Sequence, residues 1–254
     1  MLHVLKRHPI PIRAFFRHSL VLAYAFPKRL LESLLPPGLS LDTYEGFGFV
    51  AIAMVQTKGL RPVLAPRALG QDFFLTGYRV FTRFVAAPGR TLRGLRILRS
   101  DASRSLMVSF GNLLTHYNYR RADVLLRESA RSLEIEIQTP GAEADLHVIA
   151  DLASRPAPLP HGSPFRDSRE ARKFAGPLPF TFDYEKETHS IVVIEGVRHD
   201  WNPQPVNVEV RRIAFFRQAP FNQTSPILAN AFYVENVPYR WKRGVRIALP
   251  RQPA

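Results

Sequence analysis

The chain has 254 residues, with 35 Lys and Arg against 21 Asp and Glu, a formal net charge of +14, 46% hydrophobic and 11% aromatic residues, and no cysteine. That apolar share excludes wholesale disorder, and the length allows one core that needs no staples. Without thiols, disulfides, thiolate metal sites and cysteine nucleophiles are excluded as well.

In chain order, residues 13–26 read as an extended segment of aromatic and aliphatic side chains. Pro27 suits a helix start, Leu30, Leu31, Leu34 and Leu35 form its apolar stripe, and Pro36–Pro37–Gly38 stops it. Residues 39–44 and 47–56 predict a hairpin turning through Glu45–Gly46, and 73–84 with 91–100 a second strand pair around Pro88–Gly89. Leu106, Phe110, Leu113 and Leu114 then recur at helical spacing, which predicts a short helix with that face buried and Asp101 or Ser103 as its cap. Residues 123–127 and 133–138 return to strand character. The stretch 155–179 carries six prolines and a capping-box pair, Asp167 and Glu170, and reads as a surface excursion (155–180) inside a single domain spanning 1–254. Residues 190–198 and 206–214 predict strands around the 200–205 turn, and 229–234 and 245–249 complete the set. The fold class expected is α+β, mainly antiparallel β, with a curled sheet or barrel enclosing a pocket and a few short helices.

Candidate sites follow from this placement. The longest apolar runs, 19–26 and 46–55, fall short of the ~20 residues a membrane helix needs. Leu20–Val21–Leu22 follows Arg17 and His18 too closely for a secretory signal, so the cytoplasm is expected. Arginine supplies 29 of the cations and lysine six. The densest run, Arg90, Arg93, Arg96, Arg99 and Arg104, splits between two faces of a strand, the pattern of a scattered surface rather than a nucleic-acid stripe. Gly46-x-Gly48-x-x-Ala51 matches a dinucleotide fingerprint by letter but precedes a strand, where that motif needs a helix. The eight histidines show no paired-ligand spacing, so neither metal nor cofactor is expected. His199–Asp200–Trp201–Asn202–Pro203–Gln204–Pro205 is either a pocket mouth carrying binding groups or a stiff connection whose Trp201 covers the core. Arg79 and Arg83 share a strand face with Phe73, Leu75 and Phe81, and such an arginine either snorkels at an edge or clamps an anion inside.

These same residues carry a resemblance. The run Leu34–Leu35–Pro36–Pro37–Gly38–Leu39–Ser40–Leu41–Asp42–Thr43–Tyr44–Glu45–Gly46–Phe47–Gly48–Phe49–Val50 resembles the opening of the YqjF-like proteins (domain of unknown function 2071). Tyr78–Arg79–Val80–Phe81 is similar to that family's arginine strand, Ser100–Asp101–Ala102–Ser103 to its turn into a helix, and Tyr117–Asn118–Tyr119–Arg120 to the segment after it. The 199–205 turn resembles the family's histidine, tryptophan and glutamine turn. The family is grouped with acetoacetate decarboxylase, which implies a curled antiparallel sheet around a pocket. Acetoacetate decarboxylase forms a Schiff base through a lysine, and here the two lysine positions fall on Ile97 and Leu98; the six lysines lie elsewhere. A Schiff base needs a free amine, which neither side chain offers and arginine cannot replace, so decarboxylation by this route is not expected. The expectation is a binding module or non-imine enzyme for a small anionic organic molecule. Arg79 would pair with the anion, Asp101 would orient it, and His199 with Trp201 would close the mouth. The alternative is a basic surface for nucleic acid or anionic membrane, and diffuse charge predicts weak, salt-sensitive polyanion binding.

Overall fold

Long strands that are apolar on both faces dictate a sheet covered on both sides. The computed structural model describes residues 2–176 and 178–250; Pro177, one of the six prolines of the 155–179 stretch, lies outside them. In chain order the elements are β1 (Ile12–Pro27), α1 (Lys28–Glu32), β2 (Leu39–Leu41), β3 (Phe47–Pro62), β4 (Gln71–Ala87), β5 (Arg90–Ala102) and α2 (Ser105–Leu114). They continue with β6 (Tyr119–Arg121), β7 (Asp123–Glu128), β8 (Ser132–Gln138), β9 (Leu146–Asp151), α3 (Ser168–Ala175) and β10 (Phe180–Glu185). The last are β11 (Ser190–Arg198), β12 (Gln204–Pro205), β13 (Asn207–Ile213), β14 (Ile227–Trp241) and β15 (Val245–Ala248).

The main sheet has 11 strands and runs β14–β1–β3–β4–β5–β10–β11, mostly antiparallel, with β5 and β10 parallel. β11 then pairs with β14 through Gly196↔Trp241, Val197↔Arg240 and Arg198↔Tyr239, which curls the sheet into a ring of those seven strands. Alternation along each strand sorts the side chains. Leu20, Leu22, Tyr24, Ile52, Met54, Tyr78 and Val80 point outward onto a second, 4-stranded sheet ordered β13-β9-β8-β7. That sheet answers with Leu133, Ile135, Ile137, Leu146 and Val148, and together they form the main core. A fully buried side chain of this size contributes ~1.5–3 kcal/mol. The opposite face of β1, β3, β4 and β5 turns into the ring.

Several expectations need correction. Residues 39–44 do not form a hairpin ladder with β3: Tyr44 and Phe47 exchange both backbone hydrogen bonds across a tight turn, with Glu45 at φ 48 and Gly46 at φ 79, but β2 then pairs with β4 instead. The two strands around the 200–205 turn form, and they belong to different sheets, because β13 joins β9 in the second. The α2 helix forms, yet Leu106, Phe110 and Leu113 are exposed and Gly111 is its buried residue. Asp101 and Ser103 do not cap it. Asp101 stays in β5, Arg104 occupies the N-cap without a side-chain bond, and the Ser103 hydroxyl accepts from the Phe74 N–H at 2.8 Å. At α3 the Asp167 carboxylate accepts from the Glu170 N–H at 2.7 Å, as a capping box requires, while Glu170 reaches back to the Arg166 N–H. The proline-rich stretch lies over the sheet and buries Phe165, Ala171 and Ala175 against Ala23, Phe49 and Phe81.

Candidate functional site

The ring encloses a cavity of about 460 Å³, within the usual range for small-molecule pockets. β1 gives it Phe16 and Val21, β3 Val55 and Thr57, β4 Phe73, Leu75, Arg79 and Phe81, and β5 Leu95, Ile97 and Ser100. β14 adds Phe232, Tyr239 and Trp241, and Tyr117 and Tyr119 come from the segment after α2. The wall is apolar except for a few groups. Among the described lining residues there is no Asp, Glu or Lys, whereas three arginines are present: Arg61, Arg79 and Arg198.

Arg79 is the chemically unusual one. No carboxylate lies within ion-pair distance of it among the described residues, and its Nε is buried without a hydrogen-bond partner. Burial lowers its pKa from the ordinary arginine value, and the charged-neighbour effects on it come from the hydroxyls of Tyr239, Tyr119 and Tyr117 rather than from an acid. A buried guanidinium left this way is costly, and an anion with two acceptor oxygens is its natural complement. Arg79 sits directly across the β4–β5 ladder from Ile97. Thus an arginine faces the wall position at which the resemblance puts an imine-forming lysine.

Five other lining residues also carry a buried polar atom without a partner: His8 Nδ1, Thr57 Oγ1, Arg61 Nε, Tyr117 Oη and Trp201 Nε1. Burial pushes the His8 imidazole down to about 4, so it is neutral near pH 7. Arg198 stacks on the Trp201 ring at 4.9 Å and hydrogen-bonds the Tyr239 hydroxyl.

Of the four residues singled out in the sequence, the structure brings two together. Arg79 and Trp201 line the cavity; Asp101 and His199 do not. Ser100 takes the cavity side of β5, so alternation sends Asp101 to the other face, where Arg99 Nε holds its two oxygens at 2.8 and 2.9 Å. His199 is exposed, in the bend where Asp200 (φ 56) turns the chain and delivers Trp201 inward. Arg83 is taken by the buried Asp42, which it shares with Arg93. The sequence reading missed His8, Arg198 and the two tyrosines. Arg198 had a signal, since it ends the strand that enters the Trp201 turn; His8 had none, because it reaches the wall from an irregular N-terminal segment. No three His, Asp or Glu side chains converge as a metal site among the described residues.

Comparison with known proteins agrees with this architecture. The family model DUF2071, an uncharacterized conserved protein, matches residues 13–238. No curated protein matches the chain in sequence. The acetoacetate decarboxylase of Legionella pneumophila is similar in structure with a TM-score of 0.63, at 14% identity over 94% of this chain and 88% of that one. An acetoacetate decarboxylase-like enzyme from Sphingomonas wittichii RW1 gives 0.59 at 12% identity, covering 94% and 92%. The enduracididine biosynthesis enzyme MppR complexed with pyruvate gives 0.54 at 10% identity, covering 96% and 90%. At these identities the likeness is one of fold.

Proposed function

The chain belongs to the DUF2071 family of uncharacterized conserved proteins and has the acetoacetate decarboxylase-like fold, and on that premise we propose that it binds a small organic anion with an apolar body inside the ring. Arg79 holds the anionic group by two parallel hydrogen bonds, the aromatic and aliphatic wall takes the apolar body, and Trp201, stacked under Arg198, covers one side. The observation that carries this reading is the buried Arg79 guanidinium, without an acid of its own, in an otherwise apolar cavity. MppR, a neighbour in fold, holds the carboxylate pyruvate, which supports the ligand class. Any chemistry performed on the ligand proceeds without an imine, because the described wall contains no lysine.

The test uses displacement of fluorescent anilinonaphthalene sulfonate from the purified protein by octanoate and by octanol. Octanoate should compete at least tenfold better than octanol. Arg79→Lys should weaken octanoate roughly ten- to a hundredfold, the worth of a lost charge-assisted bidentate contact of about 1.5–3 kcal/mol, with the melting temperature held. Equal competition by acid and alcohol, or a lowered melting temperature with octanoate affinity intact, would make Arg79 a structural residue and end the proposal.

A further inference from the structure

We infer that the rim of the cavity docks onto an anionic lipid bilayer, so that the mouth opens against the membrane surface. Three separate segments form this rim. The N-terminal segment packs on α2, where the His8 N–H donates to the Leu114 carbonyl at 3.0 Å, and joins the β3–β4 connection, where the Val63 N–H donates to the Pro11 carbonyl at 3.0 Å. Each segment puts large apolar side chains both on the cavity wall and in solvent: Ile10, Leu69 (63% exposed), Leu106 and Phe110 (54% exposed). Around them Leu64 stands 97% exposed at the tip of the β3–β4 connection. Single exposed apolar residues are ordinary, but a ring of them around one opening marks an interaction surface.

Charge on the same segments selects the partner. Residues 2–13, 58–72 and 103–116 contain one acidic residue, Asp72, and it is occupied by Lys58 at 3.0 Å and by the Gly59 N–H. Lys6, Arg13, Arg61, Arg67 and Arg104 of these segments have no carboxylate within ion-pair distance among the described residues. Elsewhere charge is mixed: Arg93 sits on Asp42, Arg96 on Asp183, Arg99 on Asp101 and Arg212 on Asp145, while others such as Arg90, Arg172 and Arg246 have no ion-pair partner among the described residues. What sets the rim apart is that its unpaired cations stand among exposed apolar side chains and share their segments with a single acid that is already occupied. α2 itself carries no charged side chain, and its exposed residues are Leu106, Phe110 and Leu113 with two serines, Ser105 and Ser109. Apolar side chains ringed by cations are what an anionic headgroup layer over acyl chains accepts; a nucleic-acid backbone offers nothing to Phe110 or Leu69. A ligand with an apolar body and an anionic group would enter the ring from that layer without crossing water, a consequence that rests on the reading of the cavity. The docking surface does not.

The experiment is co-sedimentation of the full chain with phosphatidylcholine vesicles, with and without phosphatidylserine. Binding is expected to the phosphatidylserine vesicles only, and to fall with salt. Phe110→Glu on α2 and Leu69→Glu on the β3–β4 connection should each lower the partition coefficient about tenfold or more without moving the melting temperature. Arg67→Gln should lower it about fivefold, whereas Arg211→Gln on the second sheet should leave it unchanged. Displacement of anilinonaphthalene sulfonate by octanoate, read without vesicles on the same preparations, reports on the cavity separately, so either reading can fail alone. The docking proposal is overturned by equal binding to both vesicle types or to neither, or by an Arg211→Gln effect as large as that of Arg67→Gln, which would mean diffuse charge. It is also overturned if Phe110→Glu breaks a dimer and leaves vesicle binding intact, since the rim would then be covered by a second copy.

Discussion

Arg79 owes its place to a neighbour that has no side chain. Its guanidinium folds back over Gly77, where a Cβ would lie 2.9 Å from Nε and 3.0 Å from Nη2. The space that a glycine opens beside an arginine reads, in the sequence, as room for a ligand against the backbone; the guanidinium itself fills it. Gly77→Ala should therefore push the head of Arg79 by a few tenths of an ångström rather than disturb the strand. A bidentate contact is sensitive to such a shift, so octanoate affinity should fall about tenfold. The melting temperature should move by no more than about 2–4 °C, the shift expected for ~1 kcal/mol in a chain of this size. Displacement titration with a melting curve on the same sample checks both halves. The direction of Arg79 is legible from alternation with Leu75 and Phe81. That it has no acid among the described residues is not, because Asp42 and Asp183 are claimed by Arg83 and Arg96 across elements distant in sequence, and Asp101 by Arg99 of its own strand.

At the scale of elements, α2 shows how far periodicity reaches. The spacing of Leu106, Phe110 and Leu113 identifies the helix correctly, but it cannot say whether the apolar face meets the core or the rim of a cavity. What seats the helix is Gly111, whose missing Cβ lets the Tyr119 ring of β6 approach; an added methyl would fall 2.3 Å from Cδ2 and 2.5 Å from Cε2. Two effects compete in Gly111→Ala. Helix propensity favours alanine by about 1 kcal/mol, while overlap with a ring in a buried contact costs about 1–3 kcal/mol. The ring is held between Gly111 and the cavity, so overlap should win and the variant should melt lower, with anilinonaphthalene sulfonate binding altered because Tyr119 lines the wall. An unchanged or raised melting temperature would show that the ring yields freely. The same limit explains the strand errors. The Glu45–Gly46 turn is local and was readable, whereas the choice of β4 over β3 as the partner of β2 depends on register set elsewhere.

On the whole-molecule scale, closure of the ring makes both faces of the sheet interior, and the acids and histidines it buries act on stability in opposite senses. Asp183, fully buried on β10, has Arg96 Nη1 at 3.3 Å from Oδ1, the His116 N–H as a further donor, and Oδ2 unpartnered; burial pushes its carboxyl up to about 7. In the unfolded chain that carboxyl titrates near ~3.9, so the folded state binds the extra proton between the two values, and this contribution to stability is lost as pH rises from ~4 to ~7. Asp101, raised by burial, adds in the same sense. His8 runs the other way. Its imidazole, held down to about 4 by burial against ~6.5 when unfolded, favours the fold above ~6.5 and withdraws that stability as pH falls toward 4; His18 and His116, also lowered by burial, act with it. Wild-type stability should then change little between pH 4.5 and 7, because the terms offset. Below pH 4.5 the Arg7–Glu185 pair, which holds its carboxyl down to about 2, begins to weaken and the comparison is no longer clean. Asp183→Asn removes the largest opposing term, so its urea midpoint should climb with pH across that window. His8→Gln should make the midpoint decline with pH instead. If the Asp183→Asn midpoint stays as flat as the wild type, Asp183 is not protonated in the folded chain, and the buried Arg96–Asp183 contact is an ordinary ion pair at neutral pH.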